Sequence, residues 1–431
     1  MTGRAVEPDA ASRPPRPRLP VAVAVFAGVA GALSLVVFTR LGLVRGGLYG
    51  SWVDVSVYRE AVLAWVAGRP LYDLGYTANA LPFTYPPFAV LVLGWLALPD
   101  EQTAARLMTL VNVAALLAIC RVSVGTALRG PGRVWPVRSA GAVWAVTIAV
   151  AGVAGWLEPV RLTVGYGQVN LLLGLVVLLD ALVVPPRWRG VLTGLAASVK
   201  LVPAIFALYF LVTRQYRAVV RMAAAAAGAT LLAGVVLPSS SWRFWTSTVW
   251  ARTPGKAWFT ANQSIDGVVE RLLRDGPAVG PVTAVLTLVV VAVGASAVAG
   301  CWRAGWRLTA VCACGLVGLL VSPISWSHHW IWSVPLVLGL ALEVRSRAAR
   351  ACAWALLTAV AIGAHWYLPQ WDDRELAWSW WMDVVGNLYG YLGLVILFVL
   401  AGTGVRSRRG SAPMPRDVPA LRGSDLPTAR L

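Results

Sequence analysis

Apolar residues in this chain come in long unbroken runs, not in the alternation of strands or the stripes of soluble helices. Runs of roughly 17–25 residues recur from Val21 to Val405, and a helix needs about that length to cross a bilayer core. The pattern predicts an all-α polytopic membrane protein. Spans are expected at about 21–41, 103–124, 139–156, 169–185, 190–202, 203–213, 218–237, 281–300, 308–322, 329–343, 351–368 and 385–404. Pro203 interrupts "GVLTGLAASVKLVPAIFALYFLVTR", and a proline there ends one helix and starts another. The result is read as a short up-and-back pair with Lys200 near its outer tip. "FAVLVLGWLALP" (88–99) is too short to span and reads as an interfacial helix in a long first outer loop. The Pro/Arg/Ser-rich segments 1–20 and 405–431 read as disordered tails around one membrane domain, 21–404. The run from Val21 continues into a span without a cleavage site, so no cleaved leader is expected.

Composition agrees: 58% of the residues are hydrophobic and 13% charged, which excludes an ordinary soluble domain. The net charge of +18 would suggest nucleic acid in a soluble protein. Here the arginines fall in alternate connections: Arg129, Arg133 and Arg138; Arg187 and Arg189; Arg214, Arg217 and Arg221; Arg303 and Arg307; Arg345, Arg347 and Arg350. The positive-inside rule puts these connections and both tails in the cytoplasm of a plasma-membrane protein, facing anionic lipid headgroups. No nucleic-acid partner is expected. The five cysteines lie in or beside apolar runs and read as packing residues, with no disulfide and no metal site.

The opposite loops hold most of the acids and every polar cluster that interrupts apolar sequence. These clusters are "WVDVSVYREAVLAWVAGRPLYD" (52–73), "LPFTYPPF" (81–88), "EPVRLTVGYGQVN" (158–170), Lys200, "ANQSIDG" (261–267) and "SPISWSHHWIW" (322–332). Asp54 reads either as a helix N-cap or as a catalytic carboxylate. Two of the chain's three histidines, His328 and His329, stand together at the start of an expected helix. They read as interfacial packing residues, or as one packing and one cavity-facing residue able to shuttle protons or bind phosphate. Lys200 is one of two lysines in an arginine-rich chain, and suits a site needing a compact ammonium or a stem that snorkels. Gln168, Asn170, Asn262 and Gln263 are neutral amides suited to sugar hydroxyls, each also able to cap a helix.

Taken in order, "DVSVYREAVLAWVAGRPLYD…LPFTYPPFAVLVLGWLALP", "EPVRLTVGYGQVNLLLGLVVLLD", "GVLTGLAASVKLVPAIF", "ANQSIDGVVERLL" and "SPISWSHHWIW" resemble the actinobacterial polyprenol-phosphate-mannose-dependent α-(1→2)-mannosyltransferases, GT-C enzymes of glycosyltransferase family 87. The resemblance runs from about residue 20 to 405. It implies a GT-C fold and transfer of mannose, β-linked to a polyprenyl phosphate in the outer leaflet, onto a lipid-linked mannoside of phosphatidylinositol mannoside or lipomannan type. The anomeric centre inverts, so a single carboxylate suffices as general base, and Asp54 matches the family's aspartate. The leaving phosphate needs cationic partners, for which Lys200, His328, His329 and Arg161 are the candidates. Tyr85, Gln168, Asn170, Asn262 and Gln263 would meet the sugar and acceptor, and "YPPF" with segment 88–99 would shape the lipid entrance. No cofactor or obligatory metal is implied. A polyprenyl-phosphate-arabinose-dependent arabinofuranosyltransferase of the same fold is the nearest alternative, and a lipid or solute transporter is a more distant one.

Overall fold

The computed structural model of the chain describes residues 21–44, 51–78, 80–130, 139–251 and 256–410. The tail assigned to 1–20, residues 411–431 of the tail assigned to 405–431, and the arginines Arg133 and Arg138 lie outside the described residues, while 405–410 continue the last helix in place of the expected disorder. Among the described residues the chain is helical throughout, and its only β pairings are isolated bridges at Gly75–Pro82 and Asn262–Trp326.

In order, the helices are α1 (Val21–Gly42), α2 (Val53–Val66), α3 (Phe88–Leu93), α4 (Glu101–Ala127), α5 (Ala140–Ala154), α6 (Glu158–Tyr166), α7 (Asn170–Leu182), α8 (Val191–Val199) and α9 (Phe206–Val212). The second half holds α10 (Tyr216–Val236), α11 (Pro238–Thr246), α12 (Ile265–Leu273), α13 (Val279–Arg303), α14 (Arg307–Val321), α15 (Ser333–Leu342), α16 (Arg347–Ile362), α17 (Trp380–Gly386) and α18 (Leu388–Gly410). Five helices, α1, α4, α10, α13 and α16 with its 3₁₀ extension, are long and apolar enough to cross a membrane. The bent pairs α5–α6 (76°) and α17–α18 (67°) raise that to seven, against the twelve spans the pattern predicts. The remaining apolar helices are shorter, because Gly, Pro and polar residues end them early. Segment 88–99 forms α3 and a 3₁₀ turn, Gly94–Ala97.

Between transmembrane helices lipid offers no hydrophobic driving force, so close backbone approach and buried hydrogen bonds hold them together. At the α1–α5 crossing a methyl on Gly31 would fall 2.5 Å from the Ala149 Cα, and one on Gly152 would fall 2.5 Å from the Gly31 carbonyl. Ser34 donates to the Gly152 carbonyl at 2.8 Å in the same crossing. Two buried carboxylates join consecutive helices. Asp180 of α7 accepts from Gly190 N (2.9 Å), Thr193 N (3.0 Å) and Thr193 Oγ1 (2.6 Å) at the start of α8. Glu343, after α15, accepts from Leu308 N (3.2 Å), Thr309 N (2.8 Å) and Thr309 Oγ1 (2.7 Å). These are first-turn N–H groups of α14 that have no partner within the helix, and the macrodipole there favours a negative charge. All five cysteines are buried and free.

Candidate active site

The first loop, the α6–α7 junction, the break after α8 and the histidine turn meet at one end of this bundle. Helix α2 is fixed at its start, where Trp52 N donates to the Gly165 carbonyl of α6 at 3.0 Å. Its flank is fixed where Ser56 Oγ donates to Glu101 Oε1 at 2.7 Å. The cap position belongs to Trp52, in the left-handed region at φ 52° with no side-chain cap bond. Asp54 lies inside the first turn and caps nothing, so the cap reading of this aspartate does not hold. Gly167 ends α6 at φ +71°, and a methyl there would strike the Val55 side chain at 2.1 Å. That close approach brings Gln168 alongside Asp54.

The Gln168 amide donates to Asp54. Its carbonyl is held by Asn112 Nδ2 at 2.9 Å, and its side-chain Oε1 lies 3.0 Å from both the Tyr58 and the Tyr85 hydroxyls. These hydroxyls are themselves 2.9 Å apart, so two protons serve three contacts. Burial lifts the Asp54 carboxyl to about 6, a rise moderated by the Gln168 hydrogen bond and then by the Lys200 charge. Burial likewise holds the Tyr85 phenol well above its ordinary range, so it stays neutral.

Lys200 stands in extended conformation where α8 stops, before the 3₁₀ turn Val202–Ile205. Its ammonium donates to Asn170 Oδ1 at 2.9 Å, lies 3.3 Å from His329 Nε2 and sits 5.1 Å from the Tyr85 ring centroid. An ammonium can only donate, so with Lys200 charged this contact needs the lone pair on Nε2 and the imidazole proton on Nδ1. The Asn170 amide then donates to the His328 carbonyl at 3.2 Å, and Thr163 Oγ1 reaches the same carbonyl at 2.8 Å.

The histidines do not open an α-helix. They occupy a 3₁₀ turn, Ser327–Trp332, ahead of α15. His329 lines a cavity of about 50 Å³ with Asn170 and Lys200, whose other walls are apolar, among them Leu173, Ile205, Phe206 and Trp332. His328 is buried, with its ring edge-on to Tyr166 at 5.4 Å.

Arg161 lies on α6 one turn beyond Glu158 and is partly exposed. Asn262 and Gln263 do not join the cluster. Asn262 Nδ2 donates to the Ala257 and Pro323 carbonyls (2.9 and 3.1 Å), and its Oδ1 accepts from Ser325 N at 2.9 Å. Gln263 Nε2 donates to the Thr260 and Gly386 carbonyls (2.9 and 2.7 Å). Asn262 braces the loop before α12 against the segment before the histidine turn, and Gln263 braces it against the end of α17.

Two contributors escape the sequence reading. Glu158, grouped there with the outer acids, is fully buried and accepts from Ser327 Oγ (2.5 Å), Trp366 Nε1 (2.7 Å) and Tyr389 OH (3.0 Å). It fixes the residue just before His328. Tyr58 was detectable, because it lies four positions after Asp54 and therefore shares its helix face. Among the described residues no three His, Cys, Asp or Glu side chains gather as a metal site.

A chain whose described residues include five to seven helices or bent pairs long and apolar enough to cross a bilayer is a multi-pass membrane protein. The model of glycosyltransferase family 87 matches residues 83–323. A Mycobacterium tuberculosis polyprenol-phosphate-mannose-dependent alpha-(1-2)-phosphatidylinositol mannoside mannosyltransferase is 34% identical over 409 residues, covering 89% of this chain and 94% of its own length. A Mycolicibacterium smegmatis polyprenol-phosphate-mannose-dependent alpha-(1-2)-phosphatidylinositol pentamannoside mannosyltransferase is 34% identical over 84% of this chain and 87% of its own. The crystal structure of ArnT from Cupriavidus metallidurans bound to undecaprenyl phosphate aligns over 90% of this chain and 78% of its own, at 17% identity and a TM-score of 0.39, a loose likeness. The chain belongs to glycosyltransferase family 87 and is a glycosyltransferase.

Proposed function

We propose that the chain transfers mannose from a polyprenyl-phosphate mannose to a phosphatidylinositol mannoside, forming an α-(1→2) linkage with inversion on a GT-C scaffold. The observation that carries this reading is the meeting of one carboxylate, Asp54, with one ammonium–imidazole pair, Lys200 and His329, across Gln168, Tyr85 and Asn170. The names of the relatives supply the sugar, the carrier and the acceptor class.

The acceptor hydroxyl attacks the anomeric carbon and gives its proton to Asp54. The bond from that carbon to the phosphate oxygen breaks on the opposite face. Polyprenyl phosphate leaves as an anion beside Lys200, whose charge-assisted hydrogen bonds stabilise it more as charge develops. His329 turns toward the same oxygen, and His328 holds the turn against Tyr166. Arg161 adds positive charge from α6. Gln168, Asn170 and Tyr85 meet the sugar hydroxyls, and the apolar walls around Phe206 and Trp332 accept the first carbons of the prenyl chain. Asn262 and Gln263 support the site from the loop behind it.

The site faces the outer leaflet of the plasma membrane, with both termini cytoplasmic. All the cysteines are buried, so cysteines introduced on the surface report without background. Gln102→Cys reacts with an impermeant maleimide in intact cells and Arg187→Cys does not; the reverse pattern inverts the orientation. The chemical test is a purified-enzyme assay with a phosphatidylinositol mannoside acceptor, read by mass spectrometry. Transfer from polyprenyl-phosphate mannose, absent with GDP-mannose, is expected, and the product should be cleaved by an α-(1→2)-mannosidase. Transfer from polyprenyl-phosphate arabinose in place of mannose overturns the reading.

A further inference from the structure

The end of the bundle away from Asp54 and Lys200 holds a second, larger cavity, of about 400 Å³, within the range of small-ligand sites. Its lining includes Thr126, Arg129, Arg189, Trp302 and Arg307. The helices that carry the site also carry this cavity. From Asn112 to Thr126 along α4, and from Asn170 to Leu182 along α7, the helical rise amounts to about 20 Å. Every lining arginine comes from a connection that the charge pattern places together on the basic side.

Glu343 reaches the cavity wall, its Oε1 3.6 Å from where a methyl on the lining Gly130 would stand, but among the described residues no ion pair joins it or any other acid to the three guanidinium groups of Arg129, Arg189 and Arg307. Two carboxylates belong to the surrounding helices, Asp180 and Glu343, and Glu343 is near enough to feel the Arg307 charge. The oxygens of both already accept backbone N–H groups and threonine hydroxyls. Arg189 is held in place by Gln215 Oε1 (2.8 Å) and the Val184 carbonyl (3.2 Å), while its buried Nε has no partner. Arg307 lies flat over the Trp302 ring at 3.4 Å, which orients its planar donor edge. Three guanidinium charges around one cavity outweigh the Glu343 carboxylate at its wall, and an anion with several oxygens relieves their repulsion while using donors spread over several directions.

We propose that this cavity binds a phosphate group at the membrane surface opposite the Asp54–Lys200 cluster, carried either by an anionic phospholipid of the adjoining leaflet or by a free phosphate. Basic pockets between transmembrane helices at the headgroup level suit such groups.

The test uses the full chain, purified and delipidated in a neutral detergent. It is titrated separately with phosphatidylglycerol, phosphatidylcholine and inorganic phosphate, with bound lipid counted by native mass spectrometry and phosphate binding read by thermal shift. Arg129→Gln and Arg307→Gln are expected to weaken phosphatidylglycerol binding roughly five-fold or more each. Arg350→Gln, an exposed arginine of the same basic connections outside the cavity, leaves it unchanged. Arg189 is left intact because it also holds Gln215 and Val184. If inorganic phosphate stabilises the chain and displaces the lipid with the same arginine dependence, the proposal stands with a soluble ligand. Equal binding of phosphatidylglycerol and phosphatidylcholine, or unchanged binding of both anions in Arg129→Gln and Arg307→Gln, overturns it.

Discussion

Two pairs of neutral amides look alike in this sequence, Gln168 with Asn170 and Asn262 with Gln263. Each pair interrupts apolar sequence, each falls in a loop expected on the same side, and all four residues are buried in the structure. Gln168 and Asn170 spend their side chains mostly on other side chains, a carboxylate, two phenols and an ammonium, with one bond from Asn170 to the His328 carbonyl. Asn262 and Gln263 spend theirs mostly on backbone carbonyls and N–H groups of loops that lack regular structure. The second pair replaces a missing hydrogen-bond ladder. The first pair orients groups that can gain or lose charge. Whether a buried amide serves chemistry or cohesion is decided by what the neighbouring backbone lacks, and a residue's own identity does not reveal that.

Substitutions can break this contrast. The largest effect is expected from Asp54→Asn, which keeps shape but cannot accept the acceptor's proton. Turnover should fall by roughly two to four orders of magnitude while the purified variant keeps or raises its melting temperature. Asp73→Asn is the control: it disturbs only a partly exposed ion pair with Arg243 and should stay active. Full activity in Asp54→Asn removes the general base from the mechanism.

Lys200→Ala should lower turnover on the order of 10–1000-fold, with Lys200→Arg recovering part of it. A change confined to KM would mean that Lys200 binds the donor without assisting departure of the phosphate.

The next effect is on pH. The folded-state value for Asp54, about 6, lies above its ordinary one, and the base works only when ionised. The rate kcat/KM should therefore level off about a unit above pH 6, be roughly halved at pH 6, and approach a tenfold fall per pH unit well below it. The stability effect has the opposite sign: burying the charged form costs stability above pH 6, and that cost is relieved as the pH drops toward the ordinary value. A profile that stays level down to pH 4.5 contradicts the assignment.

Asn262→Ala sharpens the comparison from the other side. Removing its bonds to Pro323 and Ser325 should destabilise the protein by about 2–4 kcal/mol, seen as a lower melting temperature in detergent. Turnover per folded molecule should change less than threefold, and a catalytic defect without loss of stability would move Asn262 into the site.

Much of the scaffold is legible in the chain because bilayer length dominates local choice. Helix α1 begins and α10 ends within two residues of the hydrophobic runs that predict them. Shorter elements are less legible, since the histidine turn and the break after α8 are set by tertiary hydrogen bonds from Asn170 and Glu158. Arginine distribution alone gathers Asp54, Gln168, Asn170, Lys200 and His329 onto one side, and the structure brings these five together. It could not separate the site from its braces. Glu158 is the clearest case: in sequence it is one acid among many in the outer loops, and only its three donors from distant segments give it a place under the histidines.

The contact between Lys200 and His329 joins positions 129 residues apart. A ribosome feeding this chain into a membrane finishes α8 long before it makes the turn at Ser327. Until then Lys200 has neither its imidazole neighbour nor the wall that Trp332 gives its cavity. A chain cut short before residue 329 lacks this neighbour of Lys200 altogether. The groups that hold Glu158 under the turn, Trp366 and Tyr389, are made later still, so the support of the histidines is completed only near the end of synthesis.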